Sequence, residues 1–294
     1  MTRQGTGRRA AVLGHPVAHS LSPVLHRAAY DALGLTDWTY DAIDVDEPDL
    51  PAFLAEHRDG WAGWSVTMPL KRAVRPLLVR EVELARRVGA VNTVLVGPDG
   101  LEGHNTDVYG MVAACREAHV ALADMATRRS GVVIGSGATA ASALAALLEL
   151  GCSDPVVHVR SASRLADLQA AADRLGVRVR TAPFDADAIG RSIRDADVVV
   201  STLPSGAADA LATGAAEAAR DRRPVLLDVV YDPWPTVLAK AWSAVGAPVV
   251  GGFVMLLHQA WFQVELMTGR PAPLEAMRAA GEAALRERAA SSAL

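Results

Sequence analysis

The sequence contains very little lysine. Among its 29 basic residues only Lys71 and Lys240 are lysines, and all the others are arginines. A bias toward arginine should spare mainly the positions that need an amine able to release its proton, because a guanidinium stays protonated in proteins. Lys71 is therefore a candidate catalytic acid or base. The alternative is that both lysines are surface residues without such a role.

Cysteine is also scarce. Cys115 and Cys152 lie in alanine- and leucine-rich helical patterns without a CxxC motif, which predicts buried thiols rather than a disulfide or a zinc site. His15 and His19 are four residues apart, but Pro16 and the loop-like composition between them disfavour a metal-binding helix face. The sequence therefore favours chemistry without a metal.

Long apolar runs and a strong charge imbalance are missing too. No run of 18 apolar residues occurs, and residues 1–10 lack the apolar stretch of a secretion signal, so we expect a cytoplasmic protein without a membrane partner. A formal net charge of -4 and a pI near 6.1 provide no basic field for nucleic acid. We expect a monomer or a homodimer that acts on a small molecule.

What the sequence does contain is enough chain, 294 residues with 51% hydrophobic content, for two domains. In the N-terminal part, strands are predicted over 10–13, 38–45 and 61–67. Ser22 followed by Pro23 predicts the N-cap of a helix that Gly34 ends. Stretches 91–96 and 101–105 flank a Gly-Pro-Asp-Gly turn and predict a hairpin, so the first sheet should be mixed.

From residue 131 the pattern changes to repeated strand and helix units. Strands are predicted over 132–134, 156–159, 177–181, 197–202 and 225–230, with helical stretches between them, which indicates a doubly wound sheet. Two long apolar helices over 253–268 and 274–289 follow and should pack back on the first domain. The predicted division is 1–108, 109–250 and the C-terminal helices 251–294.

A glycine-rich turn follows the first strand of the second domain. Its sequence is Gly135-Ser136-Gly137-Ala138-Thr139-Ala140. In this context a GxGxxA turn lets the backbone approach a pyrophosphate and directs a helix N-terminus at it. We interpret the turn as a dinucleotide site, the alternative being an ordinary tight connection.

The end of the next strand favours NADP over NAD. An NAD site usually has Asp or Glu there, whereas this chain has Arg160, Ser161 and Arg164. Guanidinium groups bind a 2'-phosphate with paired hydrogen bonds, and a carboxylate would repel it. The alternative is that both arginines are solvated surface charges.

A second group of polar residues follows strand ends of the first domain, where an open α/β sheet forms its ligand crevice. Hydroxyls, an amide, an amine and an acid suit a small polyhydroxylated acid. Taken singly, Ser22 also fits a helix cap, Asn92 a turn and Asp107 an N-cap. The group comprises Ser20, Ser22, Thr67, Lys71, Asn92 and Asp107.

Across nearly its whole length the chain resembles the shikimate dehydrogenase family. The resemblance implies an N-terminal mixed-sheet α/β substrate domain, a Rossmann-like doubly wound NADP-binding domain, and helices that return to the former. It also implies reversible reduction of 3-dehydroshikimate to shikimate with NADP, a step of aromatic amino-acid and chorismate biosynthesis. The matching stretches are Gly14-His15-Pro16-Val17-Ala18-His19-Ser20-Leu21-Ser22-Pro23, 65–71, Gly89-Ala90-Val91-Asn92-Thr93, Asn105-Thr106-Asp107, Asp228-Val229-Val230-Tyr231-Asp232-Pro233 and 251–259.

The resemblance further implies that Lys71 and Asp107 form the catalytic pair. Substrate contacts are implied for Ser20, Ser22, Ser65, Thr67, Asn92, Asp107, Tyr231 and Gln259. Cofactor contacts are implied for Gly135, Ser136, Gly137, Ala138, Thr139, Arg160, Ser161, Arg164, Thr202, Val229 and Gly252.

Two positions and one short stretch depart from the family pattern. The family usually has Asn where this chain has Ser65, whose side chain is shorter and has a single donor. Val159 replaces the usual Asn before Arg160, which weakens the expected contacts to the adenosine ribose. The stretch 201–204 also differs from the common form near the nicotinamide.

Oxidation of a secondary alcohol requires a base within hydrogen-bond reach of the hydroxyl. We assign that task to Lys71, which as an ammonium protonates the oxygen in the reducing direction, with Asp107 orienting amine and substrate. A quinate or aminoshikimate dehydrogenase on the same scaffold is the alternative within this class. A dinucleotide-binding sensor without turnover is the alternative outside it, and such a sensor would need neither an acid nor a base.

Overall fold

A computed structural model of the chain describes residues 8–118, 128–160 and 165–292. The chain divides into two compact units. The first consists of Met1–Thr106 and Leu257–Leu294, and the second of Asp107–Leu256. The sequence-based division set its limits at 108 and 250.

The first unit is built on a six-stranded mixed sheet in the order β2-β1-β3-β5-β6-β4. Strand β1 runs parallel to β2 and β3, whereas β5 runs antiparallel to β3 and β6. The predicted mixed sheet is therefore confirmed. The strands are β1 (Arg9–Gly14), β2 (Thr39–Asp44), β3 (Trp61–Val66), β4 (Arg80–Glu81), β5 (Thr93–Gly97) and β6 (Gly100–His104).

Helices cover this sheet, and its core includes the fully buried Trp64, Tyr30 and Tyr40. Helix α4 and the two-residue strand β4 were not predicted, because elements this short have no readable periodicity. The helices of this part are α1 (Ser22–Ala32), α2 (Leu50–Glu56), α3 (Leu70–Ala73) and α4 (Glu83–Val88).

The ends of α1 show one correction and one confirmation. Ser22 is not the N-cap: Leu21 occupies that position, and the backbone N–H of Ser22 donates to Ser20 Oγ over 3.2 Å. The cap interaction therefore comes from the serine two residues earlier. At the other end Gly34 has a φ of 66° and its N–H donates to the Asp31 carbonyl, which makes it the left-handed terminator of the helix.

The second unit contains a parallel sheet in the order β12-β11-β10-β7-β8-β9. Each adjacent pair is parallel, so the doubly wound sheet is confirmed. Its elements are α5 (Asp107–Ala118), β7 (Gly131–Ile134), α6 (Ala138–Glu149), β8 (Val156–Val159), α7 (Leu165–Leu175), β9 (Arg180–Pro183), α8 (Ala186–Arg194), β10 (Val198–Ser201), α9 (Ala212–Ala219), β11 (Val225–Asp228), α10 (Val237–Ala244) and β12 (Val249–Gly251).

Two strands of this sheet differ from the prediction. Strand β9 begins at Arg180 rather than 177, and β12 was not predicted at all. Both lie at the edges of the sheet. Strand β9 is largely exposed and lacks the continuous apolar run of a central parallel strand, and β12 has only three residues, too few to show a strand pattern.

Two helices end the chain, α11 (Gly252–Thr268) and α12 (Leu274–Ser292). Helix α12 packs against α1, and Arg288 Nη1 donates to the His19 carbonyl over 2.8 Å. From Leu257 onward the chain thus completes the first unit. Over the described residues, every helix is too short or too polar to cross a membrane.

Candidate active site

Three loops meet at one edge of the mixed sheet. The N–H of Thr67 donates to the Leu13 carbonyl over 2.9 Å, and that of Val66 donates to the Asn92 carbonyl over 2.7 Å. These bonds hold the end of β1, the end of β3 and the start of β5 side by side. Thr67, which follows β3, and Asn92, which precedes the antiparallel strand β5, therefore lie at a common edge of the sheet.

Gly14 allows the close approach of the first two loops. A Cβ at this position would overlap Thr67 Cγ2 and lie 2.8 Å from the Met68 carbonyl oxygen. Any larger residue would push the loop that carries Thr67 away from β1. The glycine of the sequence motif at 14–23 thus fixes the position of Thr67.

Lys71 lies in the short helix α3 directly beyond this loop. Its carbonyl accepts a hydrogen bond from the Val91 N–H over 2.8 Å, which ties the helix to the segment just before Asn92. The residue is half-buried. The lysine singled out by composition is therefore held near the polar loops of this edge.

Asn92 is 2% exposed and both ends of its amide are engaged. Its Oδ1 accepts from the Thr106 backbone N–H over 2.7 Å, which fixes the amide orientation because an N–H can only donate. Its Nδ2 donates to Gln259 Oε1 over 3.1 Å and to Thr106 Oγ1 over 2.9 Å. Asn92 and Gln259, far apart in sequence, are thus brought together by α11.

Asp107 follows Thr106 by one peptide bond. It is the first residue of α5, which places it inside the helix rather than at the predicted N-cap, and it is 3% exposed. A carboxylate in the first helical turn is stabilised by the positive end of the helix dipole.

Ser65 lies in β3 and is 4% exposed. Its hydroxyl accepts from Tyr40 Oη over 2.6 Å and donates to Gln263 Oε1 over 2.7 Å. Gln263 Nε2 in turn donates to Thr93 Oγ1 over 2.8 Å. We call the hydrogen-bonded set Tyr40, Ser65, Gln263, Thr93, Asn92, Thr106 and Gln259 the buried polar chain.

Sequence reasoning missed four members of this chain. The available signal was weak: Gln263 follows Gln259 by one helical turn, and Thr93 and Thr106 stand next to residues that were identified. Tyr40 gave no signal, since a tyrosine in a strand usually serves the core. The missed members are Tyr40, Thr93, Thr106 and Gln263.

Burial sets the protonation states around this chain. His26, from α1, stacks on Tyr40 with ring centroids 3.9 Å apart. Burial lowers the pKa of His26 to about 3 and raises the pKa of Tyr40 above its usual range. Both groups are therefore neutral at physiological pH.

The glycine-rich turn of the second unit joins β7 to α6. Gly135 has a φ of 131°, and a Cβ there would overlap Thr202 Oγ1, so this position requires glycine. Gly137 is the N-cap of α6, and within the described residues no heavy atom lies within 4 Å of where its Cβ would stand. The first N–H groups of α6 and the bare Gly137 backbone fit a pyrophosphate.

Arg160 lies just beyond β8 and is exposed. Its guanidinium sits over the Phe184 ring at 4.5 Å, and Nη2 donates to the Ala207 carbonyl over 3.2 Å. These contacts hold the side chain in place while leaving other N–H groups to bind an anion. Ser161 and Arg164, also predicted to bind the cofactor, lie outside the described residues.

The remaining predicted residues of the second unit cluster beyond β10 and β11. Thr202 Oγ1 donates to the Ile134 carbonyl over 3.3 Å, which joins it to the strand before the glycine-rich turn. Gly252 is fixed by the close approach of the Val229 carbonyl, which a Cβ would overlap. Tyr231 is half-buried in the loop after β11.

The two cysteines are buried, and His15 forms an ion pair on the surface. Cys115 and Cys152 are buried free thiols, as predicted, and burial raises the pKa of each to about 12, which disfavours thiolate chemistry. His15 Nδ1 pairs with Asp44 Oδ1 at 2.6 Å on the surface. Over the described residues, no cluster of three or more His, Cys, Asp or Glu side chains is suited to a metal ion.

Comparisons with known proteins identify the family. The family model described as "Shikimate dehydrogenase substrate binding domain" matches residues 12–94, and that described as "Shikimate 5'-dehydrogenase C-terminal domain" matches 252–280. A relative named shikimate dehydrogenase (NADP(+)) from Geobacter metallireducens is 34% identical over 96% of this chain and 98% of its own length.

Solved structures extend the similarity to the fold. Shikimate dehydrogenase of Mycobacterium tuberculosis has a TM-score of 0.83 and 41% identity, covering 94% of this chain and 99% of that one. The Thermus thermophilus enzyme in complex with NADP(H) and shikimate has a TM-score of 0.81 and 32% identity, covering 95% and 100%. A quinate dehydrogenase of Corynebacterium glutamicum in complex with NAD also matches, with a TM-score of 0.80 and 30% identity over 94% and 99%.

Proposed function

The chain belongs to the shikimate dehydrogenase family, and from this premise we propose that it reversibly reduces 3-dehydroshikimate to shikimate with NADP. The observation that carries the proposal is the common edge of the mixed sheet, where the Lys71 helix is tied to the segment before Asn92. That edge supplies an amine, hydroxyls and amides for a polyhydroxylated acid.

Lys71 acts as the acid or base of the reaction. In the reducing direction its ammonium gives a proton to the carbonyl oxygen of the substrate, and in the oxidising direction the amine takes the hydroxyl proton. When bound, NADPH would supply the hydride for reduction, and NADP+ would accept it for oxidation. Asp107 orients the Lys71 amine and the reacting oxygen through its carboxylate.

Substrate binding is assigned to a set of polar side chains. The Gln259 amide has its Oε1 turned to Asn92, so its Nε2 is the end that donates to the substrate. Thr67 contributes a hydroxyl from the loop that Gly14 holds in place. The other assigned side chains are Ser20, Ser22, Asn92, Asp107 and Tyr231.

The preference for NADP depends on Arg160. This side chain is held by Phe184 and Ala207 at the end of β8, where an NAD site usually has an acid. With Gly137 and the start of α6 receiving the pyrophosphate, Arg160 meets the 2'-phosphate by paired hydrogen bonds.

A quinate dehydrogenase is the second candidate, favoured by the similarity to the Corynebacterium glutamicum structure. The first experiment measures the rate of nicotinamide reduction with shikimate and with quinate, each with NADP and with NAD. Fast turnover for shikimate with NADP supports the main proposal, and preference for quinate or NAD supports the second. No turnover with any pair would favour a dinucleotide-binding sensor.

The decisive variant is Lys71→Ala, with Lys240→Ala as the matched control because Lys240 is the other lysine and lies exposed on α10. We expect Lys71→Ala to lower kcat by roughly 10²- to 10⁴-fold, as for loss of a general acid or base, with the Kd for NADP unchanged. Lys240→Ala should behave as the wild type. An unchanged kcat in Lys71→Ala would reject the assigned mechanism.

A further inference from the structure

We propose that Gln263 is a positioning residue of the substrate site, which sets the polarity of the Ser65 hydroxyl and holds the Asn92 segment. The inference rests on the proposed function. It also gives a role to the serine at position 65, because Gln263 places a buried amide from α11 within 2.7 Å of the Ser65 hydroxyl. Gln263 is itself 1% exposed.

The orientation of the Gln263 amide follows from its neighbours. The Asn92 carbonyl oxygen can only accept, and it lies 3.3 Å from one end of the amide. That end must therefore be Nε2, which also donates to Thr93 Oγ1 over 2.8 Å. The other end is Oε1, and it faces Ser65 and His26.

This orientation determines the Ser65 hydroxyl. An amide oxygen can only accept, so Ser65 must donate its single proton to Gln263 Oε1, 2.7 Å away. Tyr40 must then donate its own proton to Ser65 Oγ over 2.6 Å. Ser65 retains one lone pair, so it can accept a hydrogen bond from a substrate hydroxyl but cannot donate one to a carboxylate.

His26 completes the arrangement. Its Nε2 lies 3.3 Å from Gln263 Oε1 and must carry the ring proton. The ring is then a neutral Nε2–H tautomer, consistent with a buried Nδ1 for which the described residues offer no hydrogen-bond partner. The surroundings of Gln263 therefore stay uncharged at physiological pH.

The donor end of Gln263 acts on Asn92 through two contacts. It holds the Asn92 carbonyl directly and orients Thr93 Oγ1, which donates to Asn92 Oδ1 over 3.0 Å. Loss of this donor frees the segment whose amide binds Gln259. Gln263 therefore influences the substrate through Ser65 on one side and Asn92 on the other.

The test uses three single variants in the full-length protein. Gln263→Met keeps the side-chain length and removes both hydrogen-bonding ends. We expect it to raise the KM for shikimate about tenfold, the effect of a lost buried hydrogen bond, with kcat and the KM for NADP nearly unchanged. Thr268→Val, on the same helix away from the buried polar chain, is the control and should leave all three constants unchanged.

Gln263→Glu provides the readout that a purely structural role would not give. A protonated carboxyl group can accept from Ser65 and donate to Thr93 as the amide does, whereas a carboxylate can only accept. His26 and Tyr40 are the titratable groups that face it, and both are neutral. We therefore expect the ratio of the variant's KM for shikimate to that of the wild type to approach one at low pH. The ratio should rise to about ten as pH increases. A ratio that does not change with pH would overturn the proposal.

Thermal unfolding separates this inference from the proposed function. Ser65→Ala, Gln263→Met and the double variant form a cycle whose Tm changes should be non-additive, because either single change breaks the same hydrogen bond. This coupling is measurable even if the wild type does not oxidise shikimate, a result that would reject the proposed function alone. Additive Tm changes would reject the Ser65–Gln263 link whatever the activity.

Discussion

At the scale of single residues, His26 shows how burial controls charge. It is fully buried against Tyr40, and its pKa is lowered to about 3 by desolvation, whereas an unfolded histidine titrates near its reference value of about 6.5. Below about pH 6.5 the unfolded chain therefore binds a proton that the folded chain refuses. The unfolding free energy is therefore not reduced by His26 above that pH, and it decreases as pH falls toward the folded pKa.

We predict that His26→Gln will flatten the acid side of the stability profile. Between pH 7 and pH 5 the wild type should lose about 2 kcal/mol more unfolding free energy than the variant, since each pKa unit corresponds to about 1.4 kcal/mol. Urea unfolding of both proteins at several pH values measures the difference. Parallel profiles would show that His26 does not control this loss.

At the scale of elements, the turn before α6 separates two uses of glycine. Gly135 is required by its backbone conformation and by Thr202, whereas the space around Gly137 is open in the described structure. We therefore expect stability to depend on the first glycine and cofactor binding to depend on the second.

We predict that Gly137→Ala will retain the wild-type Tm but raise the KM for NADP by roughly tenfold or more, because the added methyl stands where the backbone meets the pyrophosphate. Gly135→Ala should lower the Tm as well. Gly214→Ala, in α9 with open space around it, is the control; it should leave the KM for NADP unchanged and should not lower the Tm, because alanine favours a helix more than glycine does. A normal KM for NADP in Gly137→Ala would remove the turn from the cofactor site.

The sequence predicted the strands whose residues are buried in a regular run. The central strands β1, β3, β7, β8, β10 and β11 are continuous buried runs, and their apolar pattern is visible in the sequence. Edge strand β12 and the short β4 have only three and two residues, too few to show such a pattern. The start of α1 was misassigned because Ser20 and Ser22 both carry hydroxyls, and only the backbone geometry shows that Leu21 between them is the N-cap.

At the scale of the whole molecule, the two units differ in how the chain builds them. The second unit is one continuous segment whose core includes Val199, Leu226 and Trp242. The first unit needs its C-terminal segment, which supplies Met267 to the core around Tyr30 and Gln263 to the buried polar chain.

We predict that residues 107–256 expressed alone will fold and bind NADP, and that residues 1–106 alone will not fold, because their buried polar groups lose their partners. A chain joining 1–106 to 257–294 by a short glycine-serine linker should fold. The linker can be short because Thr106 Oγ1 lies 3.2 Å from Gln259 Oε1. Circular dichroism and NADP titration measure these outcomes, and a folded 1–106 fragment would contradict the prediction.

The sequence by itself determined the α/β class, the doubly wound second sheet and the glycine-rich turn. It also placed Arg160 where an NAD site usually has an acid. These features depend on local periodicity and on motifs of adjacent residues. Only the tertiary structure decided the state of Ser65. Its partners Tyr40 and Gln263 come from β2 and α11, and Gln263 is separated from it by 198 positions. Hydrogen-bond direction in such a chain depends on which groups the fold brings into contact.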